Sequence, residues 1–235
     1  MNIKHLFFDL DRTLWDFEAN SQRALDILYH QLHLERFTNH FIQFHEVYKA
    51  VNHEYWERYA KNLVTREELR NRRFIDAFEK LGIHDVALAN EMSDGYLRIS
   101  PDQTQLFPNT VETLETLKNQ GFSMSIITNG FSEVQFHKLE NTNIRPFFQE
   151  VICSEMVGKS KPNREIFDFA LQKVNVAAEN CVMIGDDING DVLGAEAVGM
   201  TGILFNPDAK KLFDKSVLRI KNLDELPFLL SKLSI

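Results

Sequence analysis

The sequence predicts an α/β protein: a Rossmann-like, doubly wound parallel sheet with an inserted α-helical cap domain. Three observations predict it. Short, nearly continuous apolar runs recur between segments with helical spacing. Polar turns rich in carboxylates follow several of those runs. The stretch from about residue 15 to 100 carries helical spacing alone, with no proline and only Gly82 and Gly95. The expected division is therefore a core of residues 1–14 and 101–235 and a cap of residues 15–100.

Taken in order, residues 3–9 are apolar apart from Lys4 and His5 until Asp9, as in a strand buried on both faces. Four helices fit the cap, at 17–33, 39–60, 65–81 and 87–99. Apolar residues there recur at helical intervals, for example Leu25, Leu28 and Leu32, or Phe44, Val47 and Val51. Residues 100–108 return the chain to the core and hold two prolines. Beyond them, strands are expected at 123–128, 151–153, 181–185 and 202–205. Helices are expected at 109–120, 132–141, 164–174 and 191–198. Pro108 and Pro162 stand where helices begin, and Gly121 suits a helix C-terminal cap.

Bulk composition sets the class. The 235 residues are 44% hydrophobic and 26% charged, with a formal net charge of -8, as in an ordinary soluble globular protein. The acidic balance argues against a nucleic-acid polymer or an anionic membrane as main partner. It leaves a small anionic substrate open, because a local metal or lysine overrides net charge. Cys153 and Cys181 are too few for a disulfide framework and read as reduced core thiols. No run approaches the ~20 apolar residues of a membrane span, and the first residues are too short and acidic a run for a signal peptide. The expectation is a cytoplasmic monomer or weak homodimer.

Four polar features fall after expected strands: Asp9, Asp11 and Arg12; Thr128, Asn129 and Gly130; Lys161 before Pro162; and Asp186, Asp187 and Asp191. Ligands of an open α/β sheet bind outside the carboxyl ends of its strands, so the four can converge. Crowding the carboxylates of Asp9, Asp11 and Asp186 is costly without a counter-charge. Mg²⁺, or Mn²⁺ in its place, suits such hard oxygen ligands and takes a phosphate oxygen as well. One carboxylate in line with a bound phosphorus can act as nucleophile. A second acid two residues away can protonate the leaving oxygen and then activate water. Thr128, Asn129 and neighbouring backbone N–H groups can hold phosphoryl oxygens, with Lys161 supplying positive charge.

The strings FFDLDRTL, ITNG, KSKPNREIF and MIGDDINGDVLGA, in this order, resemble the four motifs of the haloacid dehalogenase superfamily. The resemblance spans the chain apart from the cap, whose position resembles the C1-type insertion. It implies Asp9 as nucleophile and Asp11 as general acid/base. It implies Asp9, Asp186 and the backbone carbonyl of Asp11 as metal ligands, Thr128 and Lys161 as phosphate-binding, and Asp191 in support. The role of Asp187 stays open. DLDRTLWDFEANSQRAL further resembles the entry to the cap in house-cleaning pyrimidine 5'-nucleotidases. The expected activity is Mg²⁺-dependent hydrolysis of a small phosphomonoester, a nucleoside 5'-monophosphate, through an aspartyl phosphate. The alternatives are a sugar-phosphate phosphatase or phosphomutase, a dehalogenase, and a binding protein without catalysis.

Each feature has a plainer reading. A lone DxD is a strand end and polar turn. Lys159 competes with Lys161. Asp187 or Asp191 can cap the following helix. Trp15 and Phe17 either line a substrate pocket, where aromatic faces stack on bases, or pack the cap against the core. The aromatic run at 53–59 reads as an amphipathic helix. Arg70, Arg72 and Arg73 read as a solvated helix face, and the scattered histidines show no ligand spacing.

Overall fold

The structure, a computed structural model, describes residues 2–207 and 217–233. The chain forms two compact units, one of Met1–Phe17 with Thr104–Ile235 and one of Glu18–Gln103.

The first unit opens with β1 (His5–Phe8). The second unit then contributes α1 (Phe17–Gln31), α2 (Phe41–Ala60), α3 (Arg66–Lys80) and α4 (Val86–Ile99). The first resumes with α5 (Thr110–Asn119), β2 (Ser123–Thr128), α6 (Ser132–Asn141), β3 (Val151–Cys153), the short α7 (Ser154–Val157) and α8 (Arg164–Val174). It ends with β4 (Cys181–Gly185), a π-helical turn (Ile188–Leu193), α9 (Gly194–Glu196), β5 (Thr201–Phe205), β6 (Arg219–Ile220) and α10 (Leu226–Leu233). The described strands make one sheet in the order β3-β2-β1-β4-β5-β6, with every pairing parallel.

Strand alternation builds a core on both faces of this sheet. Leu6, Phe8, Met124, Ile126, Val182 and Ile184 face one way, where Leu114 and Leu117 of α5, Leu139 of α6 and Leu226 and Leu230 of α10 cover them. Phe7, Ile127, Cys181 and Met183 face the other way, against Ile166, Phe167 and Ala170 of α8 and Ala195 of α9. Burial on both faces is why the strands read as nearly continuous apolar runs. Cys153 and Cys181 are free and buried, and burial pushes the Cys153 thiol up to about 11.

The chain leaves β1 through a tight loop. Trp15 N–H and Leu14 N–H both donate to the carbonyl of Leu10, at 2.9 and 3.0 Å, and Arg12 turns the loop with φ of 66°. A small antiparallel ladder ties its far end to the returning chain. Asp16 N–H donates to the Gln105 carbonyl at 3.0 Å and Phe107 N–H to that of Leu14 at 2.9 Å, with Trp15 opposite Leu106.

The second unit packs Leu25, Leu28, Tyr29, Phe44, Tyr48, Val51, Phe74, Phe78, Met92 and Tyr96 into its own core. Its α3 begins with a reciprocal cap. Thr65 Oγ1 accepts from Glu68 N–H, and Glu68 accepts from Thr65 N–H at 2.8 Å. One sequence expectation fails here. Arg73 is not on a solvated face: it is only 5% exposed. It donates to Asn52 Oδ1 at 2.8 Å and lies 5.2, 5.3 and 6.0 Å from the ring centres of Phe74, Tyr96 and Tyr48. Aromatic faces and the Asn52 acceptor offset part of the lost hydration of a guanidinium, which is more weakly hydrated than an ammonium, so charge alone misplaced it. Arg72 is exposed as expected.

The α-helix expected at 191–198 also takes another form. The carbonyl of Asp187 accepts from both Asp191 N–H (2.8 Å) and Val192 N–H (3.3 Å), which widens the turn into a π-helix. Asp187 caps it, its carboxylate accepting from Asn189 N–H at 2.9 Å. Widening places Asp191 inside the turn and buries it. No described helix is long and apolar enough to cross a membrane.

Candidate active site

Parallel register brings the strand ends together. Phe8 of β1 lies beside Ile126 and Ile184, so the residues just beyond β1, β2 and β4 emerge at one edge. Asp9 is fixed there by its own N–H, which donates to the Ile184 carbonyl at 2.8 Å.

Lys161 enters this cluster; Lys159 is exposed and outside it. Lys161 Nζ donates to Asp9 Oδ1 at 2.7 Å, Asp191 Oδ1 at 2.6 Å and the Ile127 carbonyl at 2.8 Å. All three ammonium protons are thereby matched. Asn129 holds the backbone that carries it. Its Nδ2 donates to the Lys161 carbonyl at 3.1 Å, and its Oδ1 accepts from Lys161 N–H at 2.8 Å. Thr128 is buried, and its hydroxyl oxygen accepts from Gly130 N–H at 3.1 Å and from Gln135 Nε2 at 2.6 Å.

Carboxylate oxygens of Asp9, Asp186 and Asp191 lie within 4.8 Å of one another. Their electrostatics are unfavourable without a cation. Burial raises the Asp9 carboxyl well above the usual range; Lys161 opposes this, and the charges of Asp191 and Asp186 add to it. Burial and then Asp191 push Asp186 up to about 7, against Arg12 and Lys161. Asp191 is raised mainly by burial, with Lys161 opposing. Burial works against the charge of Lys161, but Asp191 and Asp9 more than offset it, and the net shift is upward. Two buried acids and the half-buried Asp186 outnumber the Lys161 and Arg12 charges that oppose them, and their oxygens suit a hard divalent cation.

The structure gathers Asp9, Asp186 and Asp191, whereas residue types alone suggested the carboxylates of Asp9, Asp11 and Asp186. The Asp11 carboxylate meets α6 instead. Lys138 Nζ donates to its Oδ1 at 2.5 Å and Gln135 Nε2 to its Oδ2 at 3.0 Å. Sequence reasoning missed both donors. Their only signal was an i, i+3 spacing on the helix that follows Asn129 and Gly130. Trp15 is fully buried, its ring centre 4.0 Å from Lys138 Nζ. Of the two readings open for Trp15, its burial supports packing. Phe17 is partly buried against the same core, with the Arg12 guanidinium 4.3 Å from its ring centre. Asp187 is exposed and serves as the cap described above.

A model of the haloacid dehalogenase-like hydrolases matches residues 3–199. The chain belongs to that family. This hydrolase is 29% identical over 230 residues to the HAD-hydrolase YfnB of Bacillus subtilis, covering 96% of this chain and 94% of that one. A crystal structure of YfnB bound to magnesium superposes with a TM-score of 0.86, at 28% identity, over 98% of this chain and all of that one. The pyrimidine 5'-nucleotidase YjjG of Escherichia coli is 28% identical over 202 residues, 86% of this chain and 85% of that protein. The glyceraldehyde 3-phosphate phosphatase of Methanothermobacter thermautotrophicus is 43% identical over 102 residues, 43% of this chain and 45% of that protein. The chain is thus an enzyme, a hydrolase whose relatives include phosphoric monoester hydrolases.

Proposed function

We propose that this hydrolase is a Mg²⁺-dependent phosphatase acting on a nucleoside 5'-monophosphate. The observation that carries the reading is the buried acid cluster at the strand ends, with Lys161 bridging Asp9 and Asp191. Asp9, Asp186 and the backbone carbonyl of Asp11 would hold the cation, and Asp191 would anchor Lys161 beside it. When bound, Mg²⁺ supplies Lewis-acid neutralisation of a phosphate oxygen and of the crowded carboxylates.

The residues divide the work as follows. Lys161 keeps Asp9 oriented through Oδ1, and a carboxylate oxygen of Asp9 attacks phosphorus. The ester P–O bond breaks while Asp11 gives a proton to the departing oxygen, which makes the alcohol a neutral leaving group. Water then attacks the aspartyl phosphate. Asp11 takes the water's proton, the bond from phosphorus to Asp9 breaks, and inorganic phosphate departs. Thr128 offers its hydroxyl proton, and Lys161 its positive charge, to the phosphoryl oxygens whose charge changes along the way. Likeness to a pyrimidine 5'-nucleotidase over most of both chains, together with the DLDRTLWDFEANSQRAL entry, supports the nucleotide.

Phosphate release from a panel of nucleoside monophosphates and sugar phosphates tests this, with Mg²⁺ and with excess chelator. We expect Mg²⁺-dependent turnover, highest for pyrimidine monophosphates, and a loss of at least ~10³-fold in Asp9→Asn. Turnover of sugar phosphates alone would keep the chemistry and remove the nucleotide. Unaltered turnover in Asp9→Asn would sink the mechanism.

A further inference from the structure

The arrangement of α6 around Asp11 is more specific than packing requires. Gln135 and Lys138 are three positions apart and therefore share one face of the helix. Each addresses a different oxygen of the same carboxylate. Lys138 is 4% exposed, although its charge would be better solvated outside. Its ammonium sits between the Asp11 carboxylate and the Trp15 ring, 4.0 Å from the ring centre, which is a favourable place for a desolvated cation.

Gln135 is fully buried, and its Oε1 has no hydrogen-bond partner among the described residues. An amide placed for stability alone would satisfy both ends. This one spends Nε2 on two acceptors, Asp11 Oδ2 and Thr128 Oγ1, and leaves its oxygen idle. The backbone makes room for it: a Cβ on Gly130 would lie 2.5 Å from the Gln135 amide carbon and nitrogen. The site therefore carries a glycine where the glutamine must pass.

We propose that Lys138 and Gln135 are positioning residues that hold the carboxyl group of Asp11 in one orientation for proton transfer. The inference rests on the reading of Asp11 as general acid/base. Two donors, one per oxygen, remove rotation about the last side-chain bond. A carboxylate has about four lone-pair sites, so a site on each oxygen stays open for the proton being moved. Gln135 also couples that orientation to Thr128, so acid and phosphoryl oxygens are registered against one side chain.

The test uses leaving groups. A nucleoside 5'-monophosphate must be protonated as it leaves, whereas p-nitrophenolate departs as a stable anion. The parameter kcat/KM reports steps through the first departure, so it isolates the acid role. In Lys138→Met, kcat/KM for the best alkyl phosphate should fall roughly 10²-fold, and for p-nitrophenyl phosphate less than about 10-fold. Lys138→Arg, which keeps a donor, should recover most of the loss. Combined with Asp11→Asn, Lys138→Met should cost nothing further, because the acid it positions is gone. Should Lys138→Met not fold, by thermal melting, Lys138→Gln, which leaves the Gln135 bond to Thr128 untouched, is read the same way. Equal losses on both esters, or losses additive with Asp11→Asn, overturn the inference and leave the phosphatase standing. A wild-type protein idle on every ester overturns both.

Discussion

The side chains of the site are held by residues that do no chemistry, and Gly185 is the sharpest case. A Cβ there would overlap the Asp191 carboxylate, which anchors Lys161 at 2.6 Å and accepts from Asp187 N–H at 3.1 Å. Gly185→Ala should therefore displace Asp191. We expect roughly 10–100-fold weaker Mg²⁺ binding by titration calorimetry, with the fold retained by circular dichroism; unchanged affinity would show that Asp191 tolerates the shift. At this scale the sequence is partly legible. Asp9 and Asp186 each directly follow a strand, Thr128 closes one, and Lys161 reaches Asp9 from the loop beyond α7, each within a short, ordered motif. Gln135 and Lys138 were not legible, because they meet Asp11 across 124 and 127 residues and are ordinary residues for an exposed helix. Arg73 misled for the converse reason: its charge suggested solvent, and its aromatic surroundings come from three helices.

Among the elements, α3 is delimited by a cap that can be tested directly. Thr65 and Glu68 exchange hydrogen bonds at its start, and Thr65→Ala removes the acceptor for a helical N–H. We expect a loss of about 1 kcal/mol in urea unfolding, without loss of hydrolysis; no loss of stability would mean water replaces the cap fully. Legibility among elements follows burial. β1, β2 and β4 are covered on both faces, so their apolar runs are nearly unbroken. β6 has two residues, paired among the described residues with β5 alone, too short for any periodicity, and neither it nor α10 was anticipated. The π-helical turn was taken for α-helix because the two differ by one residue per turn. Spacing alone does not separate them when the Asp187 carbonyl accepts from both Asp191 and Val192.

For the molecule as a whole, the acid cluster links stability to pH and metal. The Asp186 carboxyl rises from 3.8 unfolded to about 7 folded. Between those values the folded chain binds more protons than the unfolded one, so this group's contribution to stability falls as pH rises through the window. A bound cation removes the penalty, and protons compete with it below about 7. Mg²⁺ should therefore raise the melting temperature more at pH 8 than at pH 5; equal shifts would place binding elsewhere than this cluster. His5 acts oppositely: burial lowers it to about 4, so its contribution rises with pH from about 4 to 6.5. One architectural detail bears on how such a protein can change over generations. The ladder of Leu14 and Asp16 with Phe107 and Gln105 pins the two ends of the inserted segment side by side within the core unit. The entropy of closing a long loop is thereby met locally, and it grows only slowly with length. The sheet is then indifferent to what is spliced in at that seam. Changes of length or sequence in the insert can therefore accumulate at small entropic cost to the core.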